Sequence, residues 1–288
     1  MKVIEAKSFS DLYRKGLENL LKNPEYETAP RDMKIKEIID GILVLKNPLS
    51  NSFHNSVRSP DLNYMAGELL WYFSGRNDVE FISKYSKFWS GLMNSDGTAN
   101  SAYGNLLFTQ KNKLGLSQWE WAYESLKRDK DTRQAIMHFN NSSHQDFKTK
   151  DFVCTLNGVF TIRDNKLSLS VIMRSNDIHF GLIYDLPFFT LLLQQMRLQL
   201  LPIYPDLEIG TYTHHAVSLH VYERNFKLLN EMLDGEWKQD AIPELDVNLI
   251  TTSGKMTPEL MDCFNAIQNN EEYVTESKFL NWLYHSAK

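Results

Sequence analysis

Residues 151–189 read DFVCTLNGVFTIRDNKLSLSVIMRSNDIHFGLIYDLPFF, and this stretch decides the fold. Residues 159–163 and 167–173 predict two β-strands, and Asp164-Asn165-Lys166 between them is typical of a hairpin turn. A cysteine in an apolar setting, Cys154, precedes the first strand. The sequence therefore predicts a β-hairpin that begins shortly after a thiol.

Polar groups follow the second predicted strand. Arg174-Ser175-Asn176-Asp177 stands at its end, and Gly181-Leu182-Ile183-Tyr184-Asp185 comes next. A thiol, a guanidinium with an adjacent hydroxyl, and two carboxylates are thus gathered around two short strands. Such a set is typical of a site that contains a nucleophile and binds a phosphorylated substrate.

These residues resemble the thymidylate synthase family. Its members carry a nucleophilic cysteine, then a strand ending in Arg-Ser-x-Asp, then Gly-Leu-x-(Phe/Tyr)-Asn. The last position here is Asp185, and this exchange is similar to the deoxycytidylate hydroxymethylase branch of the family. The resemblance covers roughly residues 60–225. It implies an α+β fold, a twisted mixed sheet flanked by helices, in a single catalytic domain over residues 1–288.

The resemblance also implies the chemistry. Pyrimidine C5 is a poor nucleophile until a thiolate adds to C6, and the family motif gives this role to Cys154. Arg174 would hold the phosphate and favour the thiolate, while Ser175 adds a hydroxyl to the same oxyanion. Asp177 resembles the aspartate that bonds the pterin of methylenetetrahydrofolate. The alternative for Cys154 is a small buried hydrophobic residue.

Residues 61–75 predict a helix whose apolar face contains Leu62, Met65, Leu69, Leu70 and Phe73. Glu68 lies within that apolar run, where a buried carboxylate is costly unless it is bonded or employed. The alternative is an exposed helix residue. Glu-Leu-Leu-Trp resembles the family segment in which the glutamate organises water and proton transfer around the pyrimidine ring.

Two further landmarks resemble the folate side of the family site. Trp89 matches a tryptophan near the folate, and Tyr103-Gly104 matches the Tyr-Gly that follows it. Packing in the core is the alternative role for Trp89. Leu92 departs from the pattern, because many synthases have a second tryptophan there. The C-terminal residues 284–288 do not resemble the short apolar tail that helps to close the family site.

Phosphate-binding arginines are expected at two more places. Asp131-Thr132-Arg133 resembles the family's Asp-Ser-Arg-Arg, with Gln134 in place of the second arginine. In the family these arginines reach the partner subunit's site, so the resemblance implies a homodimer packed through its sheets. Arg31 lies in a loop near a family phosphate ligand. A solvated surface charge is the alternative for Arg31 and Arg133 alike.

His220-Val221-Tyr222 resembles the family's His-x-Tyr, which bonds the 3′-hydroxyl of the sugar. A metal site built from His214, His215 and His220 is the alternative. Their spacing does not suit one helical face and no cysteine or HExxH motif accompanies them, so the sequence predicts no metal.

The rest of the chain carries weaker signals. Helices are predicted at 8–22, with Ser8 or Ser10 as the cap, and at 117–127, 186–201 and 226–237, with another at the C-terminus. Residues 23–34 predict a loop, 35–46 fit a helix or a strand, and 240–250 suggest a strand. Ile136 and Phe139 are expected to face inward.

Composition limits the function classes. The chain has 288 residues and 42% hydrophobic residues, which is ample for a globular core. Its net charge of −5 gives no broad electrostatic reason to bind nucleic acid. Two cysteines and the absence of a signal-like or 18-residue apolar stretch predict a cytoplasmic protein with no membrane segment.

The sequence thus predicts a deoxycytidylate 5-hydroxymethyltransferase that uses 5,10-methylenetetrahydrofolate and acts through a covalent Cys154 adduct. Asp185 is expected to select cytosine. The alternatives within the family are a dCMP or CMP 5-methyltransferase and a dUMP-acting enzyme. A DNA cytosine methyltransferase should show a Gly-rich cofactor turn, and no GxGxxG occurs. An inactive nucleotide-binding relative would be expected to lack Cys154 or Glu68.

Overall fold

Ten strands and eight α-helices make up the computed structural model, which describes residues 1–288. In chain order they are β1 (Lys2–Ala6), α1 (Phe9–Lys22), β2 (Tyr26–Thr28), β3 (Ile35–Leu45), β4 (Ser52–Asn55), α2 (Leu62–Phe73), α3 (Val79–Ile82), α4 (Gln118–Arg128), β5 (Ile136–His138), β6 (Thr155–Arg163), β7 (Lys166–Met173), β8 (Asn176–Asp177), α5 (Leu182–Leu200), β9 (Glu208–Tyr222), α6 (Phe226–Asp234), β10 (Trp237–Asp240), α7 (Pro258–Asn269) and α8 (Lys278–Ala287).

The chain divides into two compact units, each assembled from three segments. The first unit contains residues 1–60, 166–193 and 208–242, and the second contains 61–165, 194–207 and 243–288. Segments of the two units alternate along the chain, so neither unit is one continuous stretch. The prediction of a single catalytic domain over residues 1–288 stays a prediction.

The first unit is built on a mixed sheet with β9 at its centre. One edge of β9 pairs with β3 in the antiparallel direction, and the other pairs with β7 and β8 in the parallel direction. Beyond β3, β1 is parallel and β2 antiparallel to it. β4 and β10 form a separate antiparallel pair. The mixed sheet together with its helices confirms the predicted α+β class.

Helix α1 packs against this sheet. Ser8 caps it, since its hydroxyl accepts a hydrogen bond from the backbone N–H of Asp11 at 3.2 Å, as predicted. Its buried side chains recur at helical spacing: Phe9, Leu12, Tyr13, Leu17, Leu20 and Leu21. Segment 35–46, which fitted a helix or a strand, is strand β3. The apolar face of α1 thus packs against the sheet that contains β3.

The second unit contains helix α2, which begins after the N-cap Asp61. The sequence predicted an apolar stripe on this helix, but every residue from Tyr64 to Phe73 is buried. Leu62 is 41% exposed and was wrongly placed in the core. α4 begins with a capping box formed by Ser117 and Glu120. Strands β5 and β6 pair in the antiparallel direction.

Gly104 marks a close approach of two backbone segments in the second unit. A Cβ atom at this position would lie 1.6 Å from the carbonyl oxygen of Tyr72 in α2. Only glycine therefore allows residues 103–104 to lie against the last turns of α2. This contact brings Tyr103 next to the helix that carries Glu68.

Several predicted boundaries need correction. β6 begins at Thr155, and the loop before β7 has only two residues, Asp164 and Asn165, with φ values of 50° and 56°. Both lie in the left-handed region that a two-residue type I′ turn requires, so Lys166 belongs to β7. Residues 23–34 include β2, an exposed strand with no apolar pattern to reveal it.

Three other predictions differ from the structure. α6 ends at Asp234 and Trp237–Asp240 forms strand β10. Residues 241–250 form no strand, so the strand suggested at 240–250 was wrong. Ile136 is half-buried, whereas its neighbour Met137 is fully buried. The apolar helix α5 and the C-terminal helix α8 are present as predicted. None of the helices combines the length and apolar character needed to cross a membrane.

Candidate active site

The first unit gathers polar side chains where β8 lies beside the end of β9. Asp177 of β8 is the register partner of His220 in β9. His220 Nδ1 lies 3.4 Å from Ser175 Oγ, and the His220 ring meets the Tyr222 ring edge to face at 5.1 Å. The structure thus brings together four residues that the sequence predicted: Ser175, Asp177, His220 and Tyr222.

Three cationic or titratable residues that the sequence did not indicate lie beside this group. Arg58 Nη1 lies 2.9 Å from both the Nδ1 and the carbonyl oxygen of His179. A guanidinium only donates, so Nδ1 of His179 is the acceptor and the ring is neutral. Burial, with Arg58 and Arg224 nearby, lowers the pKa of His179 to about 4. Arg224 stacks on the Tyr222 ring at 4.5 Å.

Asp177 has an unusual environment for a carboxyl group. Burial raises its pKa, although the N–H of His179 donates to Oδ1 at 3.0 Å and His220, Arg224 and Arg58 act in the opposite direction. The residue nevertheless keeps part of its surface accessible. A carboxyl group with a raised pKa can both donate and accept hydrogen bonds when it meets a polar ring.

Asp185 lies in the first turn of α5, and its carboxyl group has one defined partner. Asn176 Nδ2 donates to Asp185 Oδ2 at 2.7 Å. Asp185 is half-buried, and desolvation raises its pKa to about 7, while the bond from Asn176 acts to lower it. Asp185 can therefore both accept and supply a proton near neutral pH.

The second unit holds Glu68 in a network of aromatic side chains. Tyr64, Glu68 and Tyr72 recur every four residues on one face of α2. Glu68 Oε1 accepts hydrogen bonds from the hydroxyl of Tyr64 at 2.6 Å and from that of Tyr72 at 3.4 Å. Trp89 Nε1 donates to the Tyr64 hydroxyl at 3.0 Å. Glu68 is 7% exposed, so its carboxylate is buried and bonded, as predicted.

Cys154 is connected to this network through its neighbour. Thr155 Oγ1 donates to the hydroxyl of Tyr103 at 2.8 Å, and the Tyr103 ring stacks on Tyr72 at 5.3 Å. Cys154 is half-buried and reduced. Cys263 is fully buried, and burial raises the pKa of its thiol to about 12. Accessibility therefore favours Cys154 as the nucleophile.

Trp89 and Tyr103 lie in the core of the second unit. They are 5% and 4% exposed, and their polar atoms are engaged by Tyr64 and Thr155. Phe88, next to Trp89, is 51% exposed, which the sequence did not indicate.

The two loop arginines are exposed. Neither Arg31 nor Arg133 forms an ion pair or a side-chain hydrogen bond within the chain. Arg31 lies on a turn with φ of 53°. Arg174, the other predicted phosphate ligand, immediately follows the last residue of β7. Both loop guanidinium groups are thus available to an anion.

The three histidines of β9 have separate environments. His214 is bonded to the Tyr212 hydroxyl at 2.8 Å, and burial lowers its pKa to about 3. His215 points to the opposite face and lies 3.0 Å from Asp40 Oδ1. No group of three or more His, Cys, Asp or Glu side chains in residues 1–288 is arranged to hold a metal ion.

Comparison with known proteins gives a family match. A family model described as thymidylate synthase matches residues 43–270. The deoxyuridylate hydroxymethyltransferase of Bacillus phage SP01 is 34% identical over 224 residues, which cover 74% of this chain and 57% of that protein. This chain therefore matches little more than half the length of that relative.

Two other relatives are similar in size. The deoxycytidylate 5-hydroxymethyltransferase of Enterobacteria phage T6 is 30% identical over 76% of this chain and 86% of its own length. The corresponding protein of Enterobacteria phage T4 is 29% identical with the same coverage. The names of these relatives differ in the pyrimidine base but agree on hydroxymethyl transfer.

The Glu68 network leads to a prediction about stability. Replacing Tyr64→Phe removes a donor at 2.6 Å from a buried carboxyl oxygen. We expect the free energy of unfolding to fall by about 1–3 kcal/mol, because a buried acceptor loses a hydrogen-bond donor. Urea denaturation monitored by tryptophan fluorescence measures this change.

Tyr13→Phe is the matched control. The Tyr13 hydroxyl is buried without a hydrogen-bond partner, so its removal should leave stability unchanged or raise it. Equal losses in the two variants would contradict the hydrogen-bonding role of Tyr64.

Proposed function

Because this chain belongs to the thymidylate synthase family, we propose that it transfers a one-carbon unit from 5,10-methylenetetrahydrofolate to C5 of dCMP. The products would be 5-hydroxymethyl-dCMP and tetrahydrofolate, with water supplying the hydroxyl. The family uses methylenetetrahydrofolate as co-substrate and binds pyrimidine nucleoside monophosphates. The hydroxymethyltransferases among the relatives support hydroxymethyl transfer as the reaction.

One observation carries the choice of cytosine. Asp185 occupies the position where the family motif has the asparagine that reads uracil, and its pKa of about 7 suits a group that shares a proton. Cytosine presents an amino group at C4 and an unprotonated N3. A carboxyl group can accept from the amino group and supply a proton to N3, whereas an amide leaves one of these positions mismatched.

The reaction assigns a role to each candidate residue. The Cys154 thiolate adds to C6, and the proton that Asp185 supplies at N3 makes the ring a better electron sink. C5 then forms the bond to the one-carbon unit. Glu68 would order a water that accepts the C5 proton, and tetrahydrofolate would leave as its bond to the transferred carbon breaks. A second water would add to that carbon and become the hydroxyl group, while N3 returns its proton to Asp185. Loss of the thiolate from C6 restores the aromatic ring.

Residues of the first unit would hold the nucleotide. Arg174 and Ser175 bind the phosphate, and Arg31 adds an exposed cation to it. His220 and Tyr222 bind the 3′-hydroxyl of the sugar. The mutual proximity of Ser175, His220 and Tyr222 supports a single binding role for them.

The residues present fit a folate. Asp177 offers a partly accessible carboxyl with a raised pKa, which suits hydrogen bonding to a pterin. Trp89 and Tyr103 are the other residues that we propose for the folate, and their rings are packed against Trp71 and Tyr72 in the second unit. When bound, methylenetetrahydrofolate supplies one carbon at the oxidation level of formaldehyde.

We also propose a homodimer in the cytoplasm. The face of the sheet opposite α1 carries half-buried apolar side chains, including Ile42 of β3 and Ile172 of β7 beside His215 of β9. An apolar sheet face suits packing against a second copy. Arg133 would then reach the partner's phosphate. A reducing compartment suits a reaction that needs the Cys154 thiolate.

Product analysis tests the function. The protein is incubated with methylenetetrahydrofolate and dCMP, CMP or dUMP, and the nucleotide product is weighed by mass spectrometry. We expect 5-hydroxymethyl-dCMP, with tetrahydrofolate as the second product. Dihydrofolate, detected by its absorbance, would indicate methylation instead. Because of the SP01 relative, conversion of dUMP alone would favour deoxyuridylate hydroxymethyl transfer as the second candidate.

The covalent step predicts the effect of Cys154→Ala. Turnover should be abolished, while nucleotide binding should stay within about tenfold, because phosphate and base contacts lie on other residues. Cys263→Ala is the control and should keep turnover, since that thiol is buried. Substantial turnover by Cys154→Ala would exclude the covalent mechanism.

Sharing of Arg133 predicts complementation. Arg133→Ala and Cys154→Ala should each be inactive, but half of the dimers in an equal mixture are hybrids with one complete site. We therefore expect about one quarter of the wild-type activity after subunit exchange. Lys130→Ala removes a neighbouring exposed cation and is the control for a general loss of positive charge; this variant should keep its activity. Hybrid dimers without activity would refute sharing.

Base selection predicts the effect of Asp185→Asn. The ratio of kcat/KM for dCMP to that for dUMP should fall, with a mismatched polar pair costing about 1–3 kcal/mol. Both nucleotides are measured with both proteins at the same pH. An unchanged ratio would refute the role of Asp185 in selection.

A further inference from the structure

We propose that Asn176 is a positioning residue for Asp185: its amide fixes one carboxyl oxygen and leaves the other for the nucleobase. This inference rests on the proposed function, since it concerns the group that reads cytosine. It assigns a purpose to the variable position inside the Arg-Ser-x-Asp motif. The argument uses contacts within the first unit alone.

The hydrogen bond between the two side chains is short and partly buried. Asn176 is 3% exposed in β8, and its Nδ2 donates to Asp185 Oδ2 at 2.7 Å. The reverse orientation of the amide would place its oxygen against an ionised carboxylate and repel it. One oxygen of Asp185, Oδ2, is therefore assigned to Asn176, and Oδ1 is the atom left to meet a ligand.

The side-chain carbonyl oxygen of Asn176 indicates that the amide is present for its NH2 donor. Its Oδ1 is buried without a hydrogen-bond partner. A buried unsatisfied carbonyl destabilises the folded protein, and a leucine of similar volume would avoid that cost. Core packing alone does not explain an asparagine here, whereas the need for Nδ2 does.

Gly181 makes room for this contact. A Cβ atom at residue 181 would lie 2.8 Å from Asn176 Nδ2 and 3.2 Å from Asp185 Oδ2. Any larger residue would press on both ends of the hydrogen bond. The glycine immediately before α5 thus allows β8 and the first turn of α5 to approach closely.

The bond also influences protonation. Burial raises the pKa of Asp185, and donation from Asn176 favours the ionised form and lowers it, leaving a value of about 7. Tyr212 of β9, whose hydroxyl is bonded to His214, also interacts electrostatically with Asp185 within the first unit. Asn176 therefore affects both the orientation and the charge of the carboxyl group.

The test measures Asp185 directly and through catalysis. In protein labelled with 13C-aspartate, the carboxyl resonance absent from Asp185→Asn identifies Asp185. We expect its midpoint to move up by about one pH unit or more in Asn176→Leu, because the ionised form loses a charge-assisted hydrogen bond. Asn176→Asp is isosteric and should raise the midpoint as well, through repulsion between like charges.

Kinetics supply the second readout. If protonated Asp185 serves dCMP, kcat/KM falls as pH rises through the Asp185 midpoint. In Asn176→Leu this alkaline limb should move to higher pH, and the plateau should fall about tenfold as orientation is lost. Asn51→Leu is the matched control: it removes another fully buried asparagine of the same unit, bonded to Thr190, and should leave the midpoint unchanged.

A double-mutant cycle completes the test. In the Asp185→Asn background, Asn176→Leu should change kcat/KM by less than about threefold, since the group that it positions is already altered. Additive effects, or an unmoved Asp185 midpoint in both Asn176 variants, would overturn the inference. Failure of the wild type to convert dCMP would refute the proposed function, while the NMR titration still decides whether Asn176 controls Asp185.

Discussion

The pairing of β9 along both of its edges is the constraint on which the first unit depends. Residues 212–216 and 219–220 of this strand pair with β3 on one side and with β7 or β8 on the other, so a shift in register would break two ladders. Alternation along this strand then sends Tyr212 and His214 inward and His215 outward. The same register sets His220 opposite Asp177.

Three of the residues that the sequence predicted to act in catalysis or binding are carboxyl groups that are buried or half-buried. Glu68 has its hydrogen bonds supplied by tyrosines of its own helix, Asp177 has a backbone N–H and nearby cations, and Asp185 has one amide. Each arrangement sets a different balance between burial and stabilisation of the charge. Burial raises the pKa of both Asp177 and Asp185, and that of Asp185 lies at about 7.

Local sequence predicted local structure well, and with it part of the candidate site. The Ser8 cap, the strand before Arg174 and the long apolar helix α5 all depend on neighbours in sequence, and the burial of Glu68 follows from its apolar run. Contacts between distant residues could not be predicted. Arg58 and His179 are 121 residues apart, and no pattern around either one indicates the other. The exposed strand β2 was missed because it exists only through its pairing with β3.

The division of each unit into three separated segments has a consequence for synthesis. Ile35 of β3 pairs with Tyr222 of β9, so the central ladder of the first unit joins residues separated by roughly two thirds of the chain. An apolar strand made early must wait on the ribosome until its partner emerges. Such non-local pairing slows folding and leaves strand edges open to aggregation in the meantime. Efficient production of this protein is therefore expected to depend on slow, cool expression or on chaperones that shield β3.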